Sequence, residues 1–321
     1  MLHVLPHPGG GGETYVRALS GIEGYLAERI TLAQVPWRLR GHALLHVHGE
    51  VAAGLCLPLL RLRPSVVTLH GLHLLRRLAG LPQSLAAANL RLILRAASRV
   101  ICVSHAEQAD LVRTLGAGLA QRAVVIVNGV DAAAPVSAAE RTEARKRLSI
   151  SNGAVVGVFV GALDDVKQPL VATQAAQRAG VTLLLVGAGP LRQELQGAGG
   201  DIRMLGRLDD VRPALAAADL FVLPSKREGL SFALLEAMSA GLVPVVSDGP
   251  GNPEAVGDAG VVVAAGDVAG FTQAFMRLRD EPAFRSELAA RARARALRDF
   301  SADRMLRETR ELYASVLAER G

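Results

Sequence analysis

The sequence predicts an α/β protein made of two doubly wound domains that face a cleft, and three observations predict it. Short apolar runs rich in branched residues alternate with amphipathic stretches along the 321 residues, the pattern of parallel sheets with crossover helices. A polar, Ala-rich stretch from Asp131 to about Gly153 interrupts the alternation, which then restarts. The halves also differ in charge: residues 1–130 carry a net +7, residues 131–321 a net −1, and all eight histidines fall in the first half.

In the first half "LHVL", "ALLHVH", "SVVTLH", "RVICVS" and "AVVIVN" read as strands. Helical stretches are expected between them, for instance from Glu13 to Arg29 and from Glu107 to Leu115. The second half repeats the pattern with "AVVGVFVG", "VTLLLVG", "IRML", "DLFVLPS", "VPVVSD" and "GVVV", and the chain closes with helical stretches Pro282–Asp299 and Ser301–Glu319. The expected domains are therefore Rossmann-like, one over residues 1–131 and one over residues 132–300, with a closing helix over residues 301–321.

Composition narrows the classes. Hydrophobic residues make up 50% of the chain, enough for two sizeable cores. Cys56 and Cys102 lie in apolar runs and read as reduced core thiols. No signal peptide is visible and no apolar stretch is long enough to span a bilayer, so a cytoplasmic protein is expected. No nucleic-acid partner is expected. The scarcity of lysine (Lys146, Lys167 and Lys226 only) beside abundant Arg and Ala reads as genome composition.

The most informative stretch is "SKREGLSFALLEAMSAGLVPVVSD", Ser225 to Asp248. It follows a strand and contains a helix, with Ser231 as N-cap and Gly241 as the stop. Glu228 falls in the loop before the helix and Glu236 inside it. That loop belongs at the carboxyl edge of the sheet, where open α/β sheets bind ligands, and a helix start favours an anion. A carboxylate on each side of an anion site suits a ligand with a phosphate and hydroxyl-rich ends, such as a nucleotide sugar. Lys167, in "VGALDDVKQP" after the first strand of the second half, is placed to meet a phosphate. The Gly-rich loop "HPGGGGETYV" lets backbone approach a ligand, but neither it nor "VGAGP" makes a dinucleotide fingerprint. His7, His46, His48, His70 and His105 fall at strand ends and are expected to line a polar cleft.

Together these motifs carry a resemblance. "EGLSFALLEAMSAGLVPVVSD" is similar to the E-x7-E motif of the retaining family-four glycosyltransferases of GT-B fold, with Glu228 and Glu236 as its two glutamates. "VGALDDVK", "LLLVGAGPLRQEL", "RMLGRLDDVRPALAAADLFVLPS" and "GPGNPEAVGDAGVVV" follow in that family's order and spacing. The first half resembles it through the Gly loop, "VVTLH", "ASRVICVSHAEQADL" and "VVIVNGVD". The resemblance implies that Glu236 holds the ribose hydroxyls and Glu228 those of the transferred sugar. It implies that Lys167, Gly229, the amides of Leu230 and Ser231 and the Gly10–Gly11 loop surround the diphosphate, with His70 beside the reacting sugar. His70, Glu228 and Lys167 are thus the expected catalytic residues. The closing helix would pack back on the acceptor-side first domain, and the second domain would hold the donor.

The expected function is transfer of a hexose from a UDP- or GDP-sugar to a lipid-linked or saccharide acceptor with retention, in bacterial envelope glycan or glycolipid synthesis. No metal is expected: there is no Asp-x-Asp, and a lysine with a helix start can stabilise the leaving diphosphate. The family often has Arg where Ala162 stands, which removes one phosphate contact. The competing readings are a catalytically weak nucleotide-sugar-binding protein, a GT-B-fold sugar epimerase, a glycoside hydrolase, and a metal site on His46 and His48 with His70 or His73. Finally, Val51–Ala106 holds seven arginines and no acid, and leucines interleave with the arginines over residues 61–99. That composition fits docking on an anionic membrane surface, on the inner face of the cytoplasmic membrane.

Overall fold

A computed structural model of the chain describes residues 1–5, 11–20, 22, 24, 28–31, 34, 42–72, 75, 80–132 and 134–319. His7, Gly10, His73, Arg76 and Arg77 lie outside the described residues. The chain forms two compact units, Met1–Gly129 with Ala302–Gly321, and Val130–Ser301.

The first unit holds strands β1 (Leu2–Leu5), β2 (Glu28–Thr31), β3 (Leu45–His48), β4 (Ser65–Thr68), β5 (Arg99–Cys102) and β6 (Ala123–Val125). All pair in parallel, in the order β2-β1-β3-β4-β5-β6. Its helices are α1 (Gly11–Leu19), α2 (Glu50–Leu55), α3 (Leu57–Leu62), α4 (Leu81–Ala96), α5 (His105–Leu115) and the single turn α6 (Ala117–Ala120). One sheet face is a core of Leu2, Val4, Leu45, Val47, Val67 and Val100 packed with Leu60, Leu90 and Leu94 of α3 and α4. Strand alternation turns His3, His46 and His48 to the opposite face.

One expectation fails here. Residues 13–29 do not form one helix: α1 ends at Leu19, and Glu28 and Arg29 belong to β2, which pairs with β1. The physical reason lies in "SGIEG". Glycines weaken a helix interior, Gly24 takes φ 84, and Ile30 gains burial beside Val4 that a helix would not give it.

The second unit begins with α7 (Ala138–Arg147), whose Ser137 and Glu140 form a reciprocal capping box. Its strands are β7 (Val156–Val160), β8 (Thr182–Val186), β9 (Ile202–Gly206), β10 (Leu220–Leu223), β11 (Val243–Ser247) and β12 (Val261–Val263). They form a parallel sheet in the order β12-β11-β10-β7-β8-β9. The crossovers are α8 (Pro169–Ala179), α9 (Arg192–Gln196), α10 (Arg212–Ala217), α11 (Phe232–Ser239) and α12 (Gly251–Val256), and β12 is followed by α13 (Val268–Asp280) and α14 (Pro282–Asp299). The last helix, α15 (Ala302–Ala318), belongs to the first unit. Both sheets are doubly wound, the fold class expected from the sequence. Each has a switch point where the strand order reverses: β1 against β3 in the first unit, and β7 against β10 in the second. Ligands of open α/β sheets bind at the carboxyl edge of such a point.

Candidate functional site

In the second unit, the two loops leaving the switch point carry the two charges singled out in the sequence. The loop after β7 turns on Asp164, whose Oδ1 accepts the amides of Val166 (3.0 Å) and Lys167 (2.9 Å). Gln168 then takes φ 51, and Pro169 starts α8. The loop after β10 is tied alongside, the Lys226 amide donating to the Val166 carbonyl at 2.9 Å. Across this junction Lys167 Nζ donates to Glu228 Oε1 at 2.5 Å. The side chain of Glu228 is 6% exposed and that of Lys167 27%. A carboxylate buried to that degree needs a partner, and the lysine supplies it while keeping an open side.

Glu228 leads through the buried Gly229 and Leu230 into α11. The Ser231 hydroxyl caps that helix by accepting from the Leu234 amide, and Gly241 with φ 85 ends it. The loop lies hard against the start of α12: a Cβ on Gly251 would come 1.4 Å from the Gly229 carbonyl oxygen, so only glycine fits. Glu236 sits one helical turn in, half-buried. Burial first, and the Asp210 carboxylate second, raise its pKa. Ala162 is exposed at the start of the loop after β7. The glycines of "VGAGP" serve packing: a Cβ on Gly187 would lie 1.8 Å from the Gly161 carbonyl oxygen, and one on Gly189 2.3 Å from that of Leu163.

In the first unit the histidines do not form the open polar edge expected of them. His3, His46 and His48 are buried, 0–1% exposed, on the sheet face that Tyr15 of α1 and Tyr313 of α15 cover. His105 is exposed at the start of α5, and His70 is half-buried in the loop after β4. The buried rings stack, His46 on His48 at 4.2 Å between centroids. They are also hydrogen-bonded in chains. His3 Nδ1 meets His48 Nε2 at 2.9 Å, and His48 Nδ1 meets His70 Nε2 at 3.2 Å. His46 reaches the Tyr313 hydroxyl at 2.6 Å and the Thr68 hydroxyl at 2.8 Å. Burial drives the pKa of His3 down to about 3 and those of His46 and His48 well below 6.5, so all three are neutral. The same burial pushes the Tyr15 phenol up to about 12.

His3, His46 and His48 bring ring nitrogens within 4.8 Å of one another, a spacing a metal ion could bridge. The third member is His3, not the His70 expected from the sequence; the alternative, His73, lies outside the described residues. Both nitrogens of His46 and both of His48 already have hydrogen-bond partners.

The loop that carries His70 is strained. His70, Gly71 and Leu72 take φ of 63, 120 and 50 in succession. Positive φ in a non-glycine residue persists where surroundings over-determine it, often at functional sites. Here the surroundings are the bond to His48 and the fully buried Glu107 carboxylate, which accepts the amides of Gly71 and, at 2.7 Å, Val103.

Comparison with known proteins identifies the chain. Residues 154–281 match the family described as "Glycosyl transferases group 1", and residues 25–134 match "Glycosyltransferase Family 4". The chain is 34% identical over 149 residues to the lipopolysaccharide core biosynthesis glycosyltransferase LpsE of Rhizobium meliloti, covering 44% of each. It is 25% identical over 240 residues to the UDP-Gal:alpha-D-GlcNAc-diphosphoundecaprenol alpha-1,3-galactosyltransferase of Escherichia coli, covering 70% of this chain and 62% of that one. The crystal structure of Anabaena HepE in complex with UDP and glucose superposes with a TM-score of 0.83 at 21% identity, covering 98% of this chain and 99% of that one. Each half of the chain thus matches a glycosyltransferase family model, family four in the first and group 1 in the second, and the chain has the GT-B fold. It spans about half the length of the curated relatives it matches.

Several residues around the two switch points were not singled out from sequence. His3 carried a signal, since it stands on a strand facing the same way as His46, its Cα partner in the register. Glu107 had one in Ser104–Glu107, a cap followed by an acid, though nothing local shows that its carboxylate holds Gly71. Tyr15 and Tyr313 had none. Ser225, Ser247 and Asn252 form a buried network behind the Glu228 loop, Ser247 Oγ donating to the Ser225 carbonyl at 2.5 Å and Asn252 Nδ2 to Ser247 Oγ at 3.1 Å. "GPGNPEAV" carried Asn252 without revealing its partner.

Proposed function

We propose that this chain transfers a hexose from a nucleoside-diphosphate sugar to an acceptor hydroxyl with retention of configuration and without a metal ion. The observation that carries this is the Lys167–Glu228 pair at the switch point of the second sheet, beside the start of α11. A diphosphate leaves with growing negative charge, and fixed cations and helix amides stabilise such charge without reorganising. Lys167 is the cation, and Gly229, Leu230, Ser231 and the loop of Gly10 and Gly11 line the diphosphate. Glu228 holds hydroxyls of the moving sugar, Glu236 the ribose, and His70 lies beside the reacting sugar. The second unit is the donor half and the first the acceptor half.

HepE crystallised in complex with UDP and glucose, and the galactosyltransferase is named for a UDP-sugar, so UDP-hexoses are the first donors to try, ahead of GDP-sugars. The relatives named for lipopolysaccharide core biosynthesis and for galactosyl transfer to GlcNAc-diphosphoundecaprenol favour a lipid-linked or saccharide acceptor in envelope assembly. A thermal-shift panel tests the donor: a nucleotide sugar at a hundred times its Kd adds about 2.7 kcal/mol of stability. NMR of the product linkage tests retention, and an inverted anomer would refute it.

The acceptor half also favours contact with an anionic membrane on the cytoplasmic side. Among the described residues no helix is long and apolar enough to cross a membrane. Leu55, Leu62, Leu81 and Leu85 on α2, α3 and α4 are 63–77% exposed, and Arg61, Arg91 and Arg95 on α3 and α4 are exposed as well. Each arginine near anionic lipid is worth about 1 kcal/mol. Co-sedimentation should require anionic vesicles and fall when Arg91 and Arg95 become Glu; equal binding to neutral vesicles would exclude this partner.

A further inference from the structure

We infer that His48 is a positioning residue that fixes the tautomer of His70, through a polarised chain of hydrogen bonds running His3 to His48 to His70. The inference rests on the reading that His70 serves the reaction. A neutral imidazole carries one N–H and one lone pair, so each hydrogen bond in the chain dictates the next. His3, His46 and His48 are neutral because burial holds their pKa values down. The polarity of the chain is then set at its inner end. Among the described residues, His3 Nε2 is buried and has no hydrogen-bond partner. A buried lone pair is tolerated more readily than a buried orphan N–H. The His3 proton therefore sits on Nδ1 and is donated to His48 Nε2, 2.9 Å away. His48 in turn has its proton on Nδ1 and donates it to His70 Nε2, 3.2 Å away. His70 is left with its Nε2 lone pair engaged and its own proton on Nδ1.

The reverse polarity would require tautomer changes in two buried rings and would strand an N–H on His3. Among the described residues, the groups that face this chain include the Tyr15 phenol, whose ring lies 5.0 Å from that of His70, His46 stacked on His48, the Glu107 carboxylate that holds Gly71, and the N-terminal ammonium of Met1, whose charge acts on His3. Because Nε2 of His70 is committed inward, the other edge of the ring presents Nδ1–H, a hydrogen-bond donor. The same chain ties down a ring carried on a loop where His70 takes φ 63.

The test is long-range proton–nitrogen NMR of the whole chain labelled with ¹⁵N-histidine at pH 7.5, which distinguishes the two neutral tautomers. His70→Gln assigns the signals. The wild-type spectrum should show His70 protonated on Nδ1. In His48→Phe, which removes the donor, the tautomer ratio should move about tenfold toward Nε2–H, or ~1.4 kcal/mol. Release of UDP from UDP-glucose should fall by a similar factor. In His48→Asn, whose amide nitrogen stands where Nδ1 stood, both should return to within about threefold of wild type, the margin one retained hydrogen bond allows. If His48→Phe does not fold, the wild-type tautomer and the Asn variant still decide. A wild-type His70 protonated on Nε2, or a ratio unmoved in His48→Phe, overturns the inference. So does stoichiometric zinc on the purified protein that is lost in His3→Leu, because a metal would take the lone pairs the chain uses. If His70→Gln leaves UDP release intact while the tautomer behaves as expected, the catalytic placement of His70 fails and the polarity of the chain stands.

Discussion

The two units place opposite kinds of chemistry at the same place in the same kind of sheet. At the switch point of the second unit a lysine and a glutamate face each other with a side still open. At that of the first unit three histidines are buried and neutral, and the tyrosines of α1 and α15 cover them. The second unit, residues 130–301, holds no histidine at all. A doubly wound sheet therefore sets where polar groups converge but not their charge state. That is set by how fully flanking helices close the site: covered groups become neutral hydrogen-bonded chains, and half-open ones remain ions that a charged ligand can meet.

The sharpest way to break this comparison is acid. His3, His46 and His48 have folded pKa values depressed below the unfolded value near 6.5. Their contribution is complete above that pH and is lost as pH falls below it, because the unfolded chain then binds protons that the folded chain refuses. From pH 7.5 to 5.5 each buried histidine costs about 1.4 kcal/mol. Hydrogen exchange should show β3 and β4 losing protection on acidification before β7 and β10 do. Protection in β3 that is unchanged at pH 5.5 would mean the histidines are solvated after all.

The next effect concerns the charged site. Lys167→Ala should lower kcat about 10²–10³-fold, the cost of removing one preorganised group that meets developing charge. Lys226→Ala, at an exposed position, should change it less than twofold, as surface substitutions usually do. Glu228→Ala should act mainly on kcat. Equal, mild losses in all three variants would reduce the pair to a structural ion bridge.

Glu236 should show a smaller and different signature. If it binds ribose equally in ground and transition states, Glu236→Ala raises the donor KM about tenfold and spares kcat. Its pKa is raised, so the carboxylate is present above that value and donor affinity should fall as pH drops through it, earlier than an ordinary glutamate would allow. Glu236→Gln should flatten that part of the profile; a profile identical to wild type would remove Glu236 from donor binding. The smallest expected effect is that of EDTA, which should leave turnover within the error of the assay. Activity lost to the chelator and restored by manganese would transfer the role of Lys167 to a metal.

What the sequence by itself determined was local. Short apolar runs rich in branched residues marked eleven of the twelve described strands, because the strands of a parallel sheet covered on both faces are apolar along their whole length. The exception is β2: "ERIT" is too short and too polar to announce itself, and it becomes a strand by adding to β1. Ser231 and Gly241 bounded α11 because caps act within one turn. The family motif named Glu228, Glu236, Lys167 and His70 as neighbours in function, and only tertiary structure brought Lys167, 61 residues from Glu228, to within hydrogen-bonding distance of it. The histidines show the limit most clearly. Strand alternation put His46 and His48 on one face, but whether that face met water depended on α15, whose Tyr313 lies 267 residues further along. Burial, and with it the protonation state of a side chain, belongs to whatever packs on it from elsewhere in the chain, and no local pattern carries that information.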